Sequence, residues 1–99
     1  EHMKLFALLV MVAGLLAPGI AYAEAGEALV KSKNCMGCHE VDKKKVGPSF
    51  KDVAAKYKGN KEAEGKLIGA LKEGKGHPSK VAATDAELKT LVEHVLAQK

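Results

Sequence analysis

Cys35, Cys38 and His39 fall in the run Asn34 to Glu40, which reads NCMGCHE. Two thiols three positions apart, followed at once by an imidazole, make the pattern C-x-x-C-H. The spacing suits a particular chemistry. Each thiol can add across one of the two vinyl groups of a single porphyrin, and the adjacent imidazole then lies under the iron as a ligand. The expected cofactor is therefore one covalently attached haem c. The second ring nitrogen of His39 needs an acceptor to fix the ring's orientation.

Three other uses of such cysteines compete with this one. A redox-active dithiol of the thioredoxin kind wants a strand before the motif, and here a weak helical pattern precedes it. A zinc ribbon needs a second pair of ligands, and Cys35 and Cys38 are the only cysteines. A plain disulfide is chemically open to any exported pair of thiols. The haem reading is the one that also uses His39.

The elements that must position these groups read as helices. Ala25, Ala28, Leu29 and Ser32 form a short helical face ending near Asn34. Val41 to Ser49, VDKKKVGPS, is loop-like and carries a Gly-Pro that stops regular structure. Phe50, Val53, Ala54 and Tyr57 recur at i, i+3, i+4 and i+7, one face of a helix closed by Gly59. Ala63, Leu67, Ile68 and Leu71 continue that pattern until EGKGHP, Glu73 to Pro78, breaks it. In the last helix, Thr84 and Glu87 have the T-x-x-E spacing of a capping box, and Leu88, Leu91, Val92, Val95 and Leu96 supply the apolar stripe. No alternating run of strand length occurs. The fold class expected is all-α, with four or five short helices and no repeats.

Before this domain, Met3 and Lys4 lead into an apolar run that ends in Ala21-Tyr22-Ala23. A charged start, apolar centre and A-x-A end describe a secretory signal peptide over residues 3–23, cleaved after Ala23. Gly14, Pro18 and Gly19 interrupt the apolar part and argue against a membrane span. Glu1-His2 read as an expression remnant. The working domain expected is 24–99, located in the periplasm and free of the membrane after cleavage. A domain so small and so poor in aromatics gains from a large buried cofactor.

The chain has a formal net charge of +4, its cations being Lys throughout with no Arg. Lys interleaved with acidic residues is a poor surface for nucleic acid. It suits salt-sensitive docking to acidic faces of redox proteins such as oxidases, reductases or peroxidases, or it is simply a solvated face. A monomer is expected.

The combination of NCMGCHEV, KKVGPSFKDVAAKYKG (Lys44 to Gly59) and TDAELKTLVEHVLAQK resembles the small bacterial class I cytochromes c, in particular the c-551/c-552 group. The resemblance covers nearly all of residues 24–99. It implies first and last helices that cross and pack beside a haem held in a crevice. It also implies that the Pro48 carbonyl accepts the hydrogen bond from the His39 ring.

One departure from that family concerns the far side of the iron. Members carry a Met there, typically just after a Pro in the loop before the last helix, whereas Pro78 here is followed by Ser79. Met36 is the only Met of residues 24–99 and is held between the two cysteines. Ser79 is a feeble ligand and would leave room for water. His77, two residues earlier, could supply an imidazole as sixth ligand, or could be a solvent-facing loop residue. Lys75 and Lys80 could ligate only when deprotonated. His94 lies off the apolar stripe and reads as exposed.

Two functions follow from these alternatives. If a side chain closes the sixth position, the protein is a periplasmic carrier of single electrons between redox partners and not an enzyme. If the site is open or water-ligated, it is a haem protein that binds small gases or reduces peroxide weakly. Efficient peroxide chemistry would need distal acid-base groups that the sequence does not offer.

Overall fold

The structure, a computed structural model, describes residues 18–99. Residues 1–17, with Glu1-His2 and most of the expected signal peptide at 3–23, lie outside the described residues. The helices are α1 (Pro18–Ser32), α2 (Phe50–Lys56), α3 (Ala63–Glu73) and α4 (Asp85–Leu96), with a 3-10 turn at Cys35–Gly37. There is no strand among the described residues, and the architecture is the all-α one expected. No helix among them is long and apolar enough to cross a membrane.

The helix limits have local causes. Thr84 Oγ1 accepts from the Glu87 N–H at 3.1 Å, while Glu87 Oε1 accepts from the Thr84 N–H at 2.9 Å. This capping box satisfies two donors that the first turn of α4 leaves unpaired. Ser49 Oγ does the same for α2, accepting from the Asp52 N–H at 3.1 Å. At the end of α3, Gly74 adopts φ 72°, a left-handed conformation that costs Gly little, and its N–H donates to the Ala70 carbonyl at 2.8 Å.

All the other helices pack on α4. Of the stripe read from the sequence it buries Leu88, Leu91, Val92 and Val95 and half-buries Leu96. Val30 of α1 and Phe50 of α2 join Leu91, Val92 and Val95 in one cluster. Burying each such side chain is worth about 1.5–3 kcal/mol.

The inward face of α1 differs from the expected one. Ala25, Ala28 and Ser32 are exposed, and the buried positions are Gly26 and Val30, with Leu29 half-buried. The cause lies at the crossing with α4. A Cβ on Gly26 would stand 2.4 Å from His94 Cβ, so the helices can come this close only because Gly26 has none. His94, read as exposed, is half-buried at this contact.

Candidate haem site

Asn34 adopts φ 62°, a left-handed conformation that Asn tolerates better than most residues, and the chain turns there from α1 into the 3-10 turn. The N–H groups of Cys38 and His39 both reach the Cys35 carbonyl, at 3.1 and 2.9 Å. Cys35 and Cys38 are thereby presented from one turn, both as free thiols, the first half-buried and the second exposed. Burial pushes the Cys35 thiol above its usual pKa, and a backbone hydrogen bond opposes the shift. Among the described residues no three His, Cys, Asp or Glu side chains gather around a common point.

His39 is held by the loop that follows it. Gly47 N–H donates to the Cys38 carbonyl at 2.7 Å, while Phe50 and Lys51 N–H donate to the carbonyls of Glu40 and Val41 at 2.9 and 3.1 Å. These bonds close the loop on itself and bring Pro48 back to the imidazole. His39 Nδ1 lies 2.6 Å from the Pro48 carbonyl oxygen. A carbonyl oxygen cannot donate, so the proton of this bond sits on Nδ1, and neutral His39 keeps its lone pair on Nε2. Gly47 gives the ring its space, since a Cβ there would meet His39 Cε1 at 2.5 Å. Phe50 flanks it, with ring centres 5.3 Å apart.

α3 and the loop after it bring His77 to this region. α3 buries only Ala63, while Leu67, Ile68 and Leu71 are half-buried beside the core, as is Val53 of α2. The loop from Gly74 is anchored where Val81 N–H donates to the Leu71 carbonyl at 2.9 Å. Within it Lys75, Pro78, Ser79 and Lys80 are exposed and His77 is half-buried. The His77 ring centre lies 6.2 Å from that of His39, with 18° between the ring planes. His77 is thus half-buried, with its ring beside that of His39. Ser79 contributes its carbonyl, 2.8 Å from His77 Nδ1.

Two free thiols, an imidazole with its lone pair retained and half-buried apolar side chains packed on the same core as Cys35 fit a covalently attached porphyrin. The cytochrome c family profile matches residues 23–99 of the sequence. The chain belongs to the cytochrome c family. It is 45% identical to cytochrome c-551 of Pseudomonas aeruginosa, over 98% of this chain and all of the relative. Identity to cytochrome c-552 of Hydrogenobacter thermophilus is also 45%, with the same coverage. Among solved structures, the class 1 cytochrome MtoD of Sideroxydans lithotrophicus superposes with a TM-score of 0.68 at 36% identity, covering 76% of this chain and 94% of that one. Wild-type cytochrome c552 of Nitrosomonas europaea gives a TM-score of 0.65 at 36% identity, covering 74% and 99%.

These likenesses make the chain a class I cytochrome c of the c-551/c-552 type, a haem-binding electron-transfer protein with one covalent haem c as cofactor. Several residues of the site were read from the sequence only as parts of helices or turns. Phe50, Leu67, Ile68 and Leu71 have the same periodicity whether they face a core or a cofactor. Gly47 reads from the sequence only as part of a Gly-Pro that breaks regular structure in a loop, and its closeness to His39 follows from the loop's long-range hydrogen bonds.

Proposed function

We propose that this cytochrome c is a periplasmic carrier of single electrons, exported by a signal peptide at 3–23, with its haem held by Cys35, Cys38 and His39. The observation that carries this reading is the bond from His39 Nδ1 to the Pro48 carbonyl, which leaves Nε2 free to ligate, directly after Cys38 in the chain. When bound, the haem supplies a one-electron change between ferric and ferrous iron.

The protein's own residues do the rest. Cys35 and Cys38 would hold the haem covalently, each thiol adding across one vinyl group. Pro48 keeps the proton on His39 Nδ1 and orients the ring. Val53, Leu67, Ile68 and Leu71, half-buried against the core, would keep water from one side of the haem. No residue is assigned a catalytic role.

Docking falls to the basic rims. Lys43, Lys44 and Lys45 are exposed on the loop after Cys38, beside Val46, which is 76% exposed. Lys75 and Lys80 are exposed on the loop that carries His77. Cations on both loops would steer acidic faces of oxidases, reductases or peroxidases toward the site, as a rate effect more than an affinity effect. The carrier acts as a monomer. The curated relatives are c-551 and c-552 cytochromes and do not favour the open-site alternative.

Export of the full chain in a host with haem-attachment machinery tests this reading. A c-type pyridine haemochrome and a reversible one-electron titration are expected, and Cys38→Ala should leave a haem bound through a single sulfur. Haem that acid and organic solvent extract from the wild type would contradict it.

A further inference from the structure

The far side of the haem has no Met to offer. Outside the expected signal peptide the chain's only Met is Met36, inside the 3-10 turn and between the attachment cysteines. His77 has what a ligand needs. It is the half-buried member of a segment whose neighbours Lys75, Gly76, Pro78 and Ser79 are exposed. The segment's course is fixed by left-handed Gly74 and Gly76, φ 72° and 76°, and by the return of Val81 to Leu71.

Its proton is placed as well. His77 Nδ1 lies 2.8 Å from the Ser79 carbonyl and 3.4 Å from the Ser79 N–H. The shorter contact requires a proton on Nδ1, because the carbonyl can only accept. Neutral His77 therefore keeps its lone pair on Nε2. This is the arrangement that Pro48 imposes on His39, and metal-bound imidazoles characteristically give their other N–H to such an acceptor.

The spacing agrees. Imidazole nitrogens bind first-row metals at about 2 Å, and a further 1 Å or so separates each nitrogen from its ring centre. Two imidazoles on opposite sides of one iron thus have ring centres about 6 Å apart. The His39 and His77 ring centres are 6.2 Å apart and their planes differ by 18°.

We propose that His77 is the second axial ligand of the haem iron, through Nε2, making a bis-imidazole site in a group whose pattern otherwise calls for Met. The proposal rests on the carrier reading and narrows it. Two imidazoles favour ferric iron more than imidazole and thioether do, so the carrier works at a lower potential than a His/Met one. The site is also closed to added ligands, because a competing gas must wait for His77 to leave.

The test uses the haem-loaded wild type, His77→Ala and, as a control, Ser79→Ala, which keeps the carbonyl. In ferrous wild type, proton NMR should show two imidazole rings shifted far upfield by the porphyrin ring current, a readout that needs no variant to fold. The ferric state should be low-spin. His77→Ala should turn high-spin, bind carbon monoxide in the ferrous state at least about tenfold faster than wild type, and return to low-spin when imidazole is added. Ser79→Ala should behave as wild type. A single upfield-shifted imidazole, or an open iron in the wild type, would overturn the assignment while leaving the attached haem and its redox cycle intact. Failure of haem to attach is read separately, as absence of the c-type haemochrome, and would remove the carrier reading and this assignment together.

Discussion

Gly26 and His94 touch where the first and last helices cross, and a Cβ at Gly26 would come within 2.4 Å of His94 Cβ. The obstacle is the root of a side chain on a packed helix, so rotation about χ1 cannot relieve it. Gly26→Ala should destabilise the protein by about 1–3 kcal/mol through overpacking, although Ala is the better helix former. Thermal melts of the two proteins check this, and a midpoint unchanged or raised would mean that the helices do not cross so closely. The double variant Gly26→Ala with His94→Ala should still be destabilised, since the Cβ of residue 94 persists.

A second prediction concerns Gly47, where a Cβ would stand 2.5 Å from His39 Cε1. Gly47→Ala should displace the imidazole or stretch its 2.6 Å bond to Pro48. The expected result is a lower yield of haem-loaded protein and a shifted potential, with helix content by circular dichroism largely kept. A potential equal to wild type would show that the loop absorbs the methyl group at no cost to the ring.

The start of α4 should carry an acid dependence. The hydrogen bond from the Thr84 backbone holds the Glu87 carboxyl below its usual pKa, with smaller contributions from the Thr84 hydroxyl and the charge of Lys33. A carboxyl that titrates lower in the folded state stabilises the fold above its unfolded value, about 4.3. That stability is lost as pH falls through the lower folded value. Urea unfolding at neutral pH and at pH near 3 should therefore differ less for Glu87→Gln than for wild type. Thr84→Ala, which removes the cap itself, should cost about 1 kcal/mol at neutral pH.

Much of this fold was legible because local and tertiary demands coincide. The capping box and stripe of α4, and the i, i+3, i+4 pattern of α2 and α3, lie where the periodicity puts them. For α1 the pattern misled. Gly26 contributes nothing to an apolar count, yet it is buried because closeness to His94 matters there more than bulk. At the site, C-x-x-C-H announces its chemistry by spacing alone. Nothing local reports that Phe50 and Lys51 bond back to Glu40 and Val41, or that His77 comes to face His39. Those relationships depend on long-range chain geometry, which single-sequence patterns do not contain.

Reversing the charge of the loop beside the motif tests the docking face. Lys43, Lys44 and Lys45 are exposed, and the first two have no ion pair among the described residues. Changing all three to Glu should slow electron transfer to a negatively charged modified electrode by about tenfold or more at low salt. The gap from wild type should narrow as ionic strength shortens the Debye length to about 8 Å at 0.15 M. Equal rates at low salt would place the docking face elsewhere. Stability should change by no more than about 0.5 kcal/mol each for Lys43 and Lys44, while the change at Lys45 also removes its bond to the Met36 carbonyl.

The most direct single measurement is an absorption spectrum of the exported, haem-loaded protein, ferric and ferrous, before and after addition of carbon monoxide. A covalent carrier with both axial positions filled predicts low-spin spectra in the two oxidation states, and a ferrous spectrum that the gas does not promptly move. A high-spin spectrum with immediate carbon monoxide binding would contradict it and make this cytochrome c a gas-binding protein.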